Sequence, residues 1–167
     1  LHAIATMVFD SVAFKAVISN GLVLDKNGQK MAKRKGNAVD PFKTIEQFGS
    51  DPLRWYMITN CSPWDNLSFD IHGVKEVSGA FFAKLFQVYV LMSTYANIDG
   101  WQPDMAGNAA DETVMDRWIL SKLNSLVAET TEAYETYEPT RAGRSIQSFV
   151  VDELSNWYVR LCKKRFW

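Results

Sequence analysis

The hydrophobic repeat changes character near residue 72, and that change limits the chain to a two-part, mainly helical architecture. Beyond it, apolar residues recur every three or four positions. Val74, Val77, Phe81, Leu85, Val88, Met92 and Tyr95 make one stripe. Ile119, Leu123, Leu126, Val127, Thr130, Ala133 and Tyr137 make a second. Ala142, Ile146, Phe149, Val150, Leu154, Trp157 and Leu161 make a third, with a kink expected near Asp152. That spacing places each stripe on one face of a helix. Residues 97–111, rich in Gly, Pro, Asn and Asp, read as a loop, and Pro139 closes the second helix. Three long helices with short connections predict an antiparallel bundle.

The first 71 residues are punctuated differently and predict a small α/β part. Residues 1–12 have a short helix-like pattern around Ile4, Met7, Val8 and Phe9. Two short strands are expected at Phe14 to Ile18 and Leu22 to Leu24, separated by Ser19-Asn20-Gly21 and followed by the turn Asp25-Lys26-Asn27-Gly28. Asp40-Pro41 supplies an N-cap and a first-turn proline for a helix that Gly49 ends, and Asp51-Pro52 repeats the signal for Leu53 to Asn60. Cys61 to Asn66 reads as a loop and Leu67 to Asp70 as a short extended piece.

Composition excludes little. The 167 residues are 47% apolar and 22% charged with a net charge of −1, ordinary values for a globular chain. A polyanion partner would therefore have to be met by local clustering of cations. Cys61 and Cys162 are far apart, and the two histidines, His2 and His72, show no metal-ligand spacing; no metal is expected. The cysteines read as free buried thiols of a reducing compartment. No uninterrupted apolar run approaches the ~20 residues of a membrane helix. The chain opens at Leu1 and ends on Phe166-Trp167, which leads us to expect a piece of a longer protein.

The strongest chemical signal is Lys30-Met31-Ala32-Lys33-Arg34-Lys35, four cations in six residues, with no acidic residue between Asp25 and Asp40. Three readings compete. It could be a solvated charge run, a localisation or nucleic-acid patch, or a phosphate clamp on a mobile loop. It is not a P-loop, because the glycine-lysine pattern fails after Gly28. Apolar Met31 at its centre, glycines at 28 and 36, and its place between a strand pair and two capped helices favour the clamp. Such a loop would close on substrate and neutralise charge on a leaving phosphate.

Lys30-Met31-Ala32-Lys33-Arg34 resembles the Lys-Met-Ser-Lys-Ser signature of the class I aminoacyl-tRNA synthetases. Gly36-Asn37-Ala38-Val39-Asp40-Pro41, with Gly49-Ser50-Asp51-Pro52-Leu53-Arg54-Trp55-Tyr56 after it, resembles the segment downstream of that signature in the isoleucine, valine and leucine group. Asp152 to Arg160 and Lys163 to Trp167 are similar to the anticodon-binding domain of the isoleucine enzymes.

The resemblance implies that residues 1–71 are the end of a Rossmann-type catalytic domain and residues 72–167 part of an anticodon-binding helical bundle. It implies ATP, with Mg2+, as substrate, activation of isoleucine to isoleucyl-adenylate, and transfer to tRNA(Ile). Lys33 would stabilise the leaving pyrophosphate, Lys30 would assist, and Met31 and Arg34 would complete the ATP contacts. Arg160, Lys163, Lys164 and Arg165, with no acidic residue after Glu153, would meet tRNA phosphates. The alternative for these four is a solvated helix end, and Trp157 and Tyr158 are expected in the core. Ala32 and Arg34 depart from the signature. The family's His-Ile-Gly-His motif, amino-acid pocket and editing domain have no counterpart here, so the piece alone should be inactive. The resemblance also implies a cytoplasmic, monomeric enzyme with no membrane contact. Two other classes stay open: a stand-alone helical RNA-binding module and a structural helical interaction domain.

Overall fold

The computed structural model describes residues 1–102 and 112–166. The protein is mainly helical with one two-stranded parallel sheet. In chain order come α1 (His2–Phe9), β1 (Val23–Leu24), α2 (Pro41–Phe48), α3 (Ser50–Thr59), β2 (Leu67–Ser68), α4 (Ile71–Ile98), α5 (Val114–Glu135) and α6 (residues 139–165).

The start signals act locally as their chemistry requires. The Asp40 carboxylate accepts the Phe42 N–H at 2.9 Å, Pro41 occupies the first turn, and the Gly49 N–H returns to Ile45. The second signal works differently. Gly49 itself precedes α3, and Asp51 sits in the first helical turn, where its charge complements the helix dipole rather than capping a donor. Asp70 caps α4 through the His72 N–H, and Thr113 and Asp116 form a reciprocal capping box on α5.

The segment from Phe14 to Ile18 is not a strand. The sheet pairs Val23 with Leu67 and Leu24 with Ser68, and its register is set by the Leu67 N–H to Leu22 O and Phe69 N–H to Leu24 O. Phe14 to Ile18 finds no ladder among the described residues and remains exposed. Propensity without a partner does not make a strand.

Two buried clusters lie on either side of α3 among the described residues. Tyr56, Leu67, Phe69 and Val74 form one, with Met31, Phe48, Leu53 and Met57 packed around it. Phe81, Ile119, Phe149 and Val150 form the other, with Trp55, Ile146, Leu154 and Tyr158 around it. The consecutive residues Trp55 and Tyr56 thus reach opposite cores. Trp55 stacks on Phe81 at 4.6 Å and donates to Gln147 at 3.0 Å.

Helix α6 caps α3 from the side. Thr140 Oγ1 lies 2.7 Å from Ile58 O and 2.9 Å from Cys61 O, and the Arg144 guanidinium donates to Thr59 O and Asn60 O at 2.8 Å each. Helices α5 and α6 run in opposite directions, since Ser145 meets Glu129, Lys122 meets Glu153, and Tyr158 meets Asp116.

The long helices depart from a pure α repeat. Residues 78–82 of α4 and 149–159 of α6 are π-helical. Bonding from i to i+5 widens the turn and advances the facing positions. In α6 the inward set therefore reads Phe149, Val150, Leu154, Tyr158 and Cys162, while Trp157 and Leu161, expected inside, are 54% and 57% exposed. In α4, Val74 and Phe81 are buried as expected but Leu85 and Met92 are exposed. In α5, Ile119 and Ala133 are buried, whereas Leu123 and Val127 face out, and Tyr137, expected on the same stripe, lies beyond the helix end and is exposed. The loop expected over 97–111 falls mostly on residues outside those described, and α4 runs on to Ile98.

Helix α4 is long and apolar enough to cross a membrane by length and composition, contrary to the expectation from uninterrupted runs. Those criteria do not place it in one. Its inner face carries Phe81 into the second core, and Lys84 donates to Asn156 of α6 at 3.2 Å.

Gly143 marks the close approach of α6 to α3. A Cβ there would lie 2.7 Å from Thr59 Cγ2. Helix propensity alone favours Gly143→Ala by about 1 kcal/mol, whereas overpacking costs about 1–3 kcal/mol. We predict that the substitution lowers unfolding stability by about 1 kcal/mol, and by no more than about 2 kcal/mol, read from urea denaturation midpoints. A stabilised variant would show that the α3–α6 contact yields readily.

Candidate functional site

The cationic loop is built on a polar base rather than left as a free string. Asp25 closes an Asx turn: its Oδ1 accepts the N–H groups of Asn27 at 2.9 Å and Gln29 at 2.8 Å. Its own N–H returns to Gln29 O, and Leu24 and Lys30 form an antiparallel bridge. Across the loop, Asn37 Nδ2 donates to Asp25 Oδ2 at 2.8 Å, and Asn37 Oδ1 accepts the Ala32 N–H at 2.9 Å. The Asn37 and Gln29 bonds lead in holding the Asp25 carboxyl below its ordinary range, against a smaller upward push from burial. The sequence signal for the turn is Asp25-Lys26-Asn27-Gly28; nothing in spacing alone discloses the Asp25–Asn37 pair.

Lys33 to Lys35 form a single 3-10 turn that ends at Gly36 in the left-handed region, φ 69°. Lys30, Lys33 and Arg34 are exposed and form no ion pair among the described residues. Their charge is therefore uncompensated and available to an anion. Met31 points the other way, into the first core. It lines an apolar cavity of about 200 Å³ with Val23, Val39, Thr44, Leu53 and Phe69. A polar residue at 31 would lose this anchor, which explains an apolar side chain inside a charge cluster. Lys33 borders a second, larger hollow of about 490 Å³ with Ala38, Asp40 and Phe42.

The C-terminal cations are not equivalent. Arg165 is bound to Asp116 of α5, with Nη1 at 2.6 Å from Oδ1 and 2.7 Å from Oδ2. This corrects the expectation that the set has no acidic neighbour. The partner comes from another helix, and sequence distance hid it. The Tyr158 hydroxyl donates to the same carboxylate at 2.6 Å, so Tyr158 is a core-side residue as expected. Burial pushes the Asp116 carboxyl up, but the bonds from Tyr158, Arg165 and Thr113 outweigh it and hold it far below the usual carboxylate range. Burial, then the same carboxylate, raises the Tyr158 hydroxyl to about 12. Arg160, Lys163 and Lys164 lie on the exposed surface of the same helix end. No three His, Cys, Asp or Glu side chains converge as metal ligands among the described residues.

The loop and the basic helix end fall in two separate family matches. Residues 1–70 match the family model described as tRNA synthetases class I (I, L, M and V), and residues 116–167 match the anticodon-binding domain of tRNA ligase. The whole chain is 65% identical to an isoleucine–tRNA ligase of Bacteroides fragilis and 44% identical to that of Thermus thermophilus.

The chain belongs to the class I tRNA synthetases.

It spans 15% of the Bacteroides fragilis ligase and 16% of the Thermus thermophilus one. The fold agrees. A crystal structure of the ternary complex of Agrobacterium radiobacter LeuRS, tRNA and LeuAMS superposes with a TM-score of 0.76 at 19% identity, covering 98% of this chain and 20% of that one. Of the sequence-expected ATP residues, Lys30, Lys33 and Arg34 are exposed on one loop while Met31 turns into the core, and the expected RNA residues lie at the far end of α6.

The Asp116 cluster has a pH signature. A carboxyl whose folded pKa is depressed stabilises the fold above the unfolded value, about 3.9. That contribution is lost as pH falls below it toward the folded value, because the unfolded chain takes up the proton first. Asp116→Asn keeps the shape and removes the charge. With Arg165 half exposed, the ion pair is worth at most about 1 kcal/mol, and turning the charged acceptor of the Tyr158 bond into a neutral amide oxygen costs about 1 kcal/mol more. We predict a stability deficit of about 1–2 kcal/mol at pH 7 that shrinks at pH 3. Urea unfolding at both values measures it, and a deficit unchanged at pH 3 would remove the carboxylate from the explanation.

Proposed function

We propose that this chain is the part of an isoleucine–tRNA ligase that carries the pyrophosphate-stabilising loop and the start of the tRNA-binding helices. The whole enzyme would join isoleucine and ATP, with Mg2+ brought by the nucleotide phosphates, to give isoleucyl-adenylate and pyrophosphate. It would then pass the amino acid to tRNA(Ile). The observation that carries the reading is the 65% identity over the full chain to a relative named isoleucine–tRNA ligase. The unpaired cations of the anchored loop supply the chemistry that name requires.

On this reading residues 1–71 end a Rossmann-type catalytic domain, and residues 72–167 form part of an antiparallel anticodon-binding bundle. The enzyme would work as a cytoplasmic monomer; the free thiols of Cys61 and Cys162 suit a reducing compartment. The alternative of a stand-alone RNA-binding module leaves the match at residues 1–70 without a role.

Lys33 would neutralise charge that builds on the bridging and leaving phosphate oxygens as the bond to the α-phosphate breaks, with Lys30 beside it. Charge on a closing loop contributes most when it meets the transition state and not bound ATP. Met31 would hold the loop to the body while Arg34 adds a further positive charge near the phosphates. Arg160, Lys163 and Lys164 would contact tRNA phosphates, and Arg165 would share its guanidinium between Asp116 and the RNA.

Two measurements test this on the full-length ligase. Lys33→Ala is expected to lower the single-turnover adenylation rate constant by about 10²–10³-fold with isoleucine affinity unchanged. Weaker ATP binding at an unchanged rate constant would instead assign Lys33 to the ground state. Arg160→Ala with Lys164→Ala should flatten the salt dependence of tRNA binding by about one to two units of log K per log salt. It should leave adenylation alone. A wild-type slope would leave these cations facing solvent.

A further inference from the structure

We propose that Asn37 and Asp25 are positioning residues for adenylation: their paired side chains set the shape of the cationic loop and so the placement of Lys30 and Lys33. The inference rests on the ligase reading above.

The geometry is specific to the loop's main chain. The Asn37 amide donates to the Lys30 carbonyl at 3.3 Å and accepts the Ala32 N–H at 2.9 Å. Those two groups flank Met31, so one side chain grips the backbone on both sides of the residue that anchors the loop in the core. The second Asn37 proton goes to Asp25 Oδ2 at 2.8 Å. Asp25 spends its other oxygen on the Asn27 and Gln29 N–H groups. Together the pair organises the main chain from residue 27 to residue 32, up to the N-terminal edge of the turn that bears Lys33.

The charges make this constraint necessary. Four cations in six residues repel one another, and no carboxylate holds Lys30, Lys33 or Arg34 in place among the described residues. Side chains free to accept a phosphate cannot also fix the loop, so fixing falls to the backbone and to residues outside the cluster. Asparagine suits position 37 because it donates to a carboxylate and to a carbonyl while accepting from an N–H. Aspartate of the same shape would lose both donors and place a second carboxylate against Asp25. Within the synthetase reaction the pair touches no reacting atom; it acts through the lysines.

The test uses full-length ligase and isoleucine-dependent exchange of pyrophosphate into ATP. Asn37→Asp should lower kcat by about 10–100-fold, the scale for misplacing a group that must meet the transition state. The KM for isoleucine should stay within about two-fold. The exchanged pair, Asp25→Asn with Asn37→Asp, restores a carboxylate–amide contact with donor and acceptor reversed. It should recover about ten-fold over Asn37→Asp alone. Thermal melting confirms that each variant is folded. If the exchanged pair fails to fold, Asn37→Gln, which keeps both bonding groups, takes its place and should exceed Asn37→Leu in kcat. Unchanged kcat in Asn37→Asp beside an impaired Lys33→Ala would overturn the positioning role. So would a folded exchanged pair no better than the single variant. Lys33→Ala with full activity would instead overturn the ligase reading of the loop and this proposal with it.

Discussion

Four consecutive main-chain carbonyls at the end of α3, those of Ile58, Thr59, Asn60 and Cys61, are met by two side chains of α6. A helix end leaves such acceptors unpaired and carries partial negative charge. Arg144 answers both needs with one guanidinium, and the Thr140 hydroxyl shares its single proton between two oxygens. The fit requires that α6 approach without a side chain at 143, where a Cβ would strike Thr59. That contact governs the packing on both faces of α3. It sets Trp55 against Phe81 and Gln147 on one side and leaves Tyr56 to bind Ser68 O and the Asp70 N–H on the other. The loop-bearing half and the helical half are therefore joined by satisfied polar groups as well as by apolar area.

Much of the architecture is legible in the sequence because it depends on local chemistry. Asp40, Pro41 and Gly49 bound α2 where their cap geometry demands, and the switch of repeat near residue 72 coincides with the start of α4. What the sequence hides is phase. An apolar stripe at α spacing assumes a constant turn, and two π-helical stretches break that assumption. Trp157 and Leu161 fit the α repeat, yet Tyr158 and Cys162 are the inward residues. The strand expected at Phe14 to Ile18 fails for a different reason. Strand formation is settled by the partner, and β1 takes its partner from residues 67–68.

The site shows the same division. The cation cluster and its resemblance are visible in five residues, because charge density and motif are properties of the chain. The bonds that organise it are not. Asp25 and Asn37 are twelve residues apart, and Arg165 and Asp116 forty-nine. Each pair joins a carboxylate to a donor whose sequence neighbours point elsewhere. Composition groups Arg165 with Lys163 and Lys164, although its bidentate bond to Asp116 ties it to α5. Lys30, Lys33 and Arg34 form no ion pair among the described residues, while the backbone that carries them is held by Asp25 and Asn37. Pairing these cations would lower the loop's self-repulsion but cancel the positive field they present at the surface.

The surface of the molecule gives the polar ties their weight. A compact monomer of 19.0 kDa would expose about 8,400 Å², and this chain exposes 12215 Å². Large apolar side chains contribute to it: Met7 and Phe9 on α1, Phe86 and Tyr89 on α4, and Val114 on α5 are all more than half exposed. With less apolar area removed from water, burial contributes less to stability than in a closed domain of the same size. Individual bonds worth about 1 kcal/mol each then make up a larger share of what keeps α5 on α6 and α6 on α3. The Asp25 network holds the cationic loop, Arg144 holds α6 to the end of α3, and Asp116 holds the basic helix end to α5.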